Sequence, residues 1–264
     1  MPMKATRTTR LAAYCLLPVL AGGVAIAMSV RYAAAAQETQ SQTSPQPASA
    51  DALAAQGKLI FDKTPALASQ YVGNKLACSD CHIGSGTTDY ASSMKDVAGL
   101  FPAFSKRAGH VITLVDRINE CFVRSENGRP LPADSPEMRA MVAYLESLSK
   151  DQQKGQPYAK RGLVTLPDLK GDVTRGKVVY TQTGCAMCHG VDGGGMPPMM
   201  PPLWGPDSYN DGAGMDKPEK MAAWVYHNMP QNKPGSLTAQ QAYDVAAYVD
   251  SMPHPKFNPI YKSF

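Results

Sequence analysis

The sequence contains two copies of the pattern Cys-x-x-Cys-His, at positions 78–82 and 185–189. This spacing suits two thioether bonds to one porphyrin with the following histidine beneath the iron, and it is the pattern of c-type haem attachment. A zinc site or a redox dithiol is the alternative, but two copies that each include the adjacent histidine favour haem. We therefore predict two covalently bound haem c groups, with proximal ligands His82 and His189. The thioether-forming residues are then Cys78, Cys81, Cys185 and Cys188.

A further cysteine, Cys121, lies in the stretch 116–125. If Cys15 is lost with a cleaved export signal, no cysteine is left with which Cys121 could form an intramolecular disulfide. If this stretch is helical, Arg117, Cys121 and Ser125 recur at i, i+4 and i+8 and share one face. A thiol, a cation and a hydroxyl on one face predict a sulfur ligand of the first haem iron, beside a pocket for an anion. Arg117, Arg124 and Arg107 would favour the thiolate form.

Two alternatives to ligation by Cys121 remain open at this point. Free cysteines are often inert, buried thiols, and His110 is a rival ligand for the first haem. Arginines, in turn, mostly lie on solvated helix faces. A sulfur oxyanion as substrate is compatible with these residues but does not follow from them alone.

For the second haem, the predicted distal ligand is Met229, which comes just before the last helix of the chain. The separation between His82 and Cys121 is one residue shorter than that between His189 and Met229, so the two sulfur atoms occupy matching positions. Methionine opposite histidine raises the reduction potential, as suits electron release to a partner. The rival ligands are His227, Met196, Met199 and Met200.

The elements around these residues follow the same order twice, which predicts an all-α fold of two tandem cytochrome c domains joined by a linker. Each half has a helix, a haem motif, a loop, the candidate sulfur and a closing helix with a central tyrosine, Tyr144 or Tyr248. No alternation long enough for a sheet is present. We predict domain 1 at 51–150, a linker at 151–170 rich in Gln, Lys, Gly and Pro, and domain 2 at 171–255.

The N-terminus is typical of an export signal. Lys4, Arg7 and Arg10 precede an apolar run, and four alanines at 33–36 offer a cleavage site. We predict a signal peptide at 1–36, a disordered polar spacer at 37–50 and a periplasmic protein; the alternative is a retained membrane anchor. The net charge of +4 comes from this segment, so nothing in the charge indicates binding to nucleic acid.

Several motifs together resemble the dihaem thiosulfate dehydrogenases, over roughly residues 51–253. The most specific is the stretch around Cys121, and domain 1 is also similar to the cysteine-ligated haem domain of the sulfur-oxidising Sox cytochromes. The motifs are Tyr71-Val72-Gly73-Asn74 before the first haem motif, residues 116–128, residues 134–144, Pro201-Pro202-Leu203-Trp204-Gly205-Pro206 and Asn228-Met229-Pro230.

The resemblance implies an enzyme that oxidises two thiosulfates to tetrathionate, or runs in reverse, and passes electrons to an acceptor cytochrome or similar carrier. It implies His82 and Cys121 as ligands of the first haem and Met229 as ligand of the second. Arg107, Arg117 and Ser125 would hold the substrate. Some relatives have a lysine immediately before the ligand methionine, and that lysine can exchange with the methionine as haem ligand. This sequence has Asn228 at that position, so we expect no such exchange. The alternatives are a dihaem carrier without a substrate and a Sox-type sulfur-transfer subunit.

Overall fold

A computed structural model describes residues 49–149 and 157–264. The predicted signal peptide, residues 37–48 of the predicted spacer and residues 150–156 lie outside the described residues. The described residues belong to one compact, mainly helical unit. Its helices are α1 (Ala50–Asp62), α2 (Thr64–Leu67), α3 (Cys78–Cys81), α4 (Ile83–Gly86), α5 (Leu114–Arg124), α6 (Pro136–Ser147), α7 (Val173–Gln182), α8 (Cys185–His189), α9 (Pro218–Asn228) and α10 (Ala239–Asp250), with 3₁₀ turns at Ala98–Leu100 and Pro259–Tyr261.

Local capping residues explain where the principal helices begin. The Thr113 hydroxyl accepts a hydrogen bond from the Asp116 backbone N–H, and the Asp116 carboxylate accepts one from the Thr113 N–H, so α5 begins with a capping box. Ser135 caps α6 ahead of Pro136 at its first position. Thr238 and Gln241 form a second capping box at the start of α10. The spacer was predicted one residue too long, because α1 begins at Ala50.

The two halves share one helix-crossing geometry. In the first half α1 packs on α6, and in the second α7 packs on α10. A Cβ built on Gly57 would lie 1.9 Å from the carbonyl oxygen of Ala140, and one on Gly176 would lie 1.9 Å from that of Asp244. At each crossing, the glycine lets the backbones of the two helices come into direct contact. This shared feature supports the predicted internal repeat.

The two halves also pack against each other. Leu76, from the first half, lies in the hydrophobic core of the second. The indole N–H of Trp224 on α9 donates to the carbonyl oxygen of Cys81 at 2.9 Å, and the Asn74 amide donates to the carbonyl of Ser208 at 3.0 Å. Residues 157–170 form no helix or strand, yet Leu163 packs on the second core. This part of the predicted linker is thus held in place.

The prediction that no sheet is present is wrong at one place. Residues Ala103–Ser105 (β1) and His110–Ile112 (β2) pair antiparallel, with Phe104 opposite Val111. Strands of three residues are too short for alternation to identify them. Across residues 49–149 and 157–264, no helix combines the length and apolar character needed to cross a bilayer.

Candidate active site at the first haem-attachment motif

A cavity of about 550 Å³ lies beside the first Cys-x-x-Cys-His motif. The structure brings together at this cavity every site residue that the sequence predicts for the first half. They are Cys78, Cys81, His82, Arg107, Arg117, Cys121 and Ser125. The apolar part of the wall includes Phe61, Met94, Val97, Phe122, Met141 and Leu145.

Helix α5 presents its polar face to this cavity. The Arg117 guanidinium donates through Nη1 to the Cys121 sulfur at 3.3 Å and to Oε2 of Glu120 at 3.0 Å. The negative charge that Cys121 carries in its ionised form, and then the charge of Glu120, raise the pKa of Arg117, although burial opposes this. A thiolate held by a guanidinium is both a metal ligand and a nucleophile, so this pair can do sulfur chemistry.

Glu120 was not predicted as part of the site. Its side chain is 6% exposed, and it also accepts a hydrogen bond from the Ser105 hydroxyl at 3.5 Å. The Glu120 carboxylate therefore contacts both the hairpin β1–β2 and Arg117. The i, i+3 spacing from Arg117 was a signal that could have identified it.

The Nε2 atom of His82 is able to coordinate a metal ion. Its Nδ1–H donates to the carbonyl oxygen of Ser92 at 2.7 Å, which leaves Nε2 with its lone pair. Burial lowers the pKa of His82 to about 4, an effect that the Ser92 hydrogen bond opposes and the charge of Arg117 assists. A neutral histidine, two thiols and an apolar wall around one cavity fit a covalently bound haem.

The histidine of the second motif has the same kind of hydrogen bond to a backbone carbonyl. The His189 Nδ1–H donates to the carbonyl oxygen of Pro201 at 2.9 Å, and burial lowers the pKa of the ring. Met229 caps α9 and packs, half-buried, against the second core. Its rivals Met196 and Met199 are 52% and 74% exposed, whereas Met200 is half-buried like Met229. The donor set of this half therefore also fits a haem with histidine and methionine ligands.

The rival histidines occupy other environments. His110 is exposed on β2, where its Nδ1–H donates to the carbonyl of Ala108, and it does not line the cavity. The His227 ring packs edge-on against Tyr90, with ring centroids 5.0 Å apart.

Arg124 differs from the expectation that it mainly supports the thiolate. It lines the cavity, but its guanidinium donates to the backbone oxygens of Gly212 and Phe264 and lies over the ring of Phe257, 4.1 Å from the centroid. These partners are distant in sequence, so no local pattern could have indicated them.

Glu126 is a second acidic residue at the cavity that the sequence did not reveal. It is 2% exposed, its carboxylate lies 3.8 Å from the Cys78 sulfur, and its Oε2 has no hydrogen-bond partner among the described residues. Burial raises its pKa well above the usual range, with a smaller contribution from Asp80.

Two haem-attachment motifs in a helical unit, each with a histidine held through Nδ1, define a dihaem cytochrome c. The family model described as SoxA/TsdA, cytochrome c domain, matches residues 68–153, and the cytochrome c model matches residues 173–253. Two cytochrome c domains carry two covalently bound haem c groups.

Similar proteins specify the family further. The thiosulfate dehydrogenase of Allochromatium vinosum is 40% identical over 211 residues, 76% of this chain and 78% of its own. That of Stutzerimonas stutzeri is 35% identical over 261 residues, 91% and 85% of the two chains. The solved thiosulfate dehydrogenase TsdBA of Marichromatium purpuratum has a TM-score of 0.73 at 31% identity, over 80% of this chain and 48% of that chain. The chain belongs to the thiosulfate dehydrogenase family.

Proposed function

We propose that the protein oxidises two thiosulfates to one tetrathionate in the cavity around Cys121. The observation that carries this proposal is the contact of 3.3 Å between Arg117 Nη1 and the Cys121 sulfur, beside the first haem motif. A carrier of electrons needs no thiol held by a cation within a cavity, whereas a reaction of sulfur anions does. The relatives named as thiosulfate dehydrogenases support the same substrate.

The chain's own residues suffice to hold both haems. Cys78 and Cys81 would form the thioethers of the first, and His82 and Cys121 would be its iron ligands. Cys185 and Cys188 would attach the second, with His189 and Met229 as its ligands. When bound, the two haems supply acceptors for one electron each.

Three side chains are placed to bind thiosulfate. Arg117 faces the cavity from α5, Ser125 follows at the end of the same helix, and Arg107 lies in the turn between β1 and β2. Guanidinium groups bind sulfonate oxygens through charge-assisted hydrogen bonds. The sulfonate is held by these groups while the terminal sulfur is directed at Cys121.

The chemistry then proceeds in two balanced steps. The Cys121 thiolate, no longer an iron ligand in this step, forms an S–S bond with the terminal sulfur of the first thiosulfate. Two electrons pass to the acceptors that the haems would supply, and an S-thiosulfonate remains on Cys121. The terminal sulfur of a second thiosulfate attacks the sulfane sulfur of this adduct, and the bond to Cys121 breaks. Tetrathionate leaves and the thiolate is restored, with Arg117 stabilising its negative charge. The reverse steps reduce tetrathionate.

The electrons leave to an acceptor cytochrome c or a similar carrier. Haem attachment and the predicted export signal support a periplasmic location, and the protein would be membrane-bound only if its leader is retained.

Anaerobic addition of thiosulfate to the oxidised dihaem protein, followed by haem absorption and tetrathionate assay, tests this function. We expect two haem electrons for each tetrathionate formed. A protein that dithionite reduces but thiosulfate does not would be a carrier without its own substrate. A protein that needs an added carrier protein as sulfur acceptor would be a Sox-type subunit.

A further inference from the structure

A fourth arginine, Arg161, lies at the cavity together with Arg107, Arg117 and Arg124. It follows the predicted boundary of the first domain, and its neighbours Gly162 and Leu163 line the same cavity. Part of the cavity wall is therefore supplied by the segment that leads into the second half of the chain.

The backbone before Arg161 is fixed to the first half through Asp89. The Tyr158 hydroxyl donates to Oδ1 of Asp89 at 2.9 Å, and Lys160 Nζ lies 3.2 Å from Oδ2. The backbone N–H of Tyr90 donates to the carbonyl of Lys160 at 2.9 Å. Arg161 itself closes a turn by donating its backbone N–H to the carbonyl of Tyr158 at 3.0 Å.

The backbone after Arg161 is held by the second half, because Leu163 packs on the core of that half. An arginine anchored on both sides differs from a surface arginine, whose side chain is free to follow solvent. Contacts with both halves therefore hold the backbone of Arg161 beside the cavity.

The side chain of Arg161 has a donor without an acceptor. Its Nε is buried and has no hydrogen-bond partner among the described residues. Arg117, by contrast, is paired with Glu120 and Cys121. Burial, and then the positive charge of Arg117, lower the pKa of Arg161. Two cations at one cavity with a buried donor unused is an unfavourable arrangement that a bound anion relieves.

We propose that Arg161 binds an oxyanion group in this cavity, so that the second half of the chain completes the site of the first. This deepens the proposed function and rests on it where the oxyanion is the sulfonate of thiosulfate. A carboxylate of the haem offers the same chemistry to a guanidinium. The variants below separate the two sources.

Arg161→Gln removes the charge and keeps most of the side-chain length, whereas Arg161→Lys keeps the charge and loses the planar fork. Arg129→Gln is the matched control. Its guanidinium donates to the carbonyl of Gln70 and lies over the ring of Tyr71, and it does not line the cavity. Each dihaem variant is compared with wild type in KM and kcat for thiosulfate, haem content, haem potentials and thermal unfolding.

With thiosulfate as the anion, Arg161→Gln raises KM by about 10- to 100-fold at unchanged haem content and potentials, as expected for one lost charge-assisted hydrogen bond. Arg161→Lys gives a smaller rise. With a haem carboxylate as the anion, haem content or the potential of one haem changes while KM stays constant.

If both Arg161 variants match Arg129→Gln in all these quantities, Arg161 binds no anion and the proposal is wrong. Failure of the proposed function is distinct, because it is seen in wild type, which thiosulfate then does not reduce.

Discussion

Replacing Arg117 by glutamine removes a guanidinium that contacts both Cys121 and Glu120. Nη1 of Arg117 donates both to the Cys121 sulfur at 3.3 Å and to Glu120 at 3.0 Å. Glutamine keeps part of the side-chain packing but carries no charge. The variant therefore loses the cation that contacts the Cys121 sulfur and that we propose binds the substrate, and it also leaves the buried Glu120 carboxylate without a cation.

The two losses have different expected sizes. A hydrogen bond from a charged group contributes about 1.5–3 kcal/mol, so kcat/KM for thiosulfate falls by about 10- to 150-fold. The Glu120 side chain is 6% exposed and that of Arg117 is 39% exposed. The ion pair thus lies between an exposed one, at about 0.2–1 kcal/mol, and a buried one, at about 3–5 kcal/mol. A loss of about 2 kcal/mol lowers Tm by about 4–8 °C in a chain of this size.

A double variant distinguishes these losses. Adding Glu120→Gln to Arg117→Gln restores Tm to near that of wild type, because a neutral amide needs no cation, but kcat/KM stays low. Steady-state thiosulfate oxidation with an artificial acceptor and thermal unfolding give both quantities, with Arg129→Gln as the control. Wild-type kcat/KM in Arg117→Gln, or recovery of activity in the double variant, would show that Arg117 does not act on Cys121 or substrate.

Three further predictions concern the scaffold. Gly57→Ala and Gly176→Ala each lower the free energy of unfolding by about 2 kcal/mol or more, because the new methyl group forces two packed helices apart; an unchanged denaturant midpoint in either would contradict this. Trp224→Phe lowers stability by about 1 kcal/mol through loss of the hydrogen bond to the Cys81 carbonyl, so an unchanged Tm would show that this contact is not made. Hydrogen bonds from a tyrosine and lysines lower the pKa of Asp89 to about 2. The Tm difference between wild type and Asp89→Asn should therefore be complete above about pH 4, the pKa of an unfolded aspartate, and fade as the pH falls toward 2; a difference independent of pH from 2 to 6 would refute this.

The features that the sequence could predict depend on local spacing. Arg117, Cys121 and Ser125 were placed together because i, i+4 and i+8 positions of a helix share a face, and all three line one cavity. The capping boxes at Thr113 and Thr238 likewise join residues only three apart, which is a spacing that a sequence displays directly.

The features that it could not predict depend on contacts between distant segments. Glu126 contacts Cys78, Arg124 contacts Phe257, and Arg161 lines a cavity whose other residues lie far from it in sequence. No periodicity marks such pairs. The hairpin β1–β2 was missed for another reason, since its three-residue strands are shorter than any pattern that alternation can identify.

The covalent role of Cys121 is tested most directly by haem reduction in a Cys121→Ala variant that retains both haems. After anaerobic mixing with thiosulfate, we expect haem absorption to stay that of the oxidised protein and no tetrathionate to form, while dithionite still reduces both haems. Near-normal reduction by thiosulfate and near-normal tetrathionate formation in this variant would contradict the mechanism.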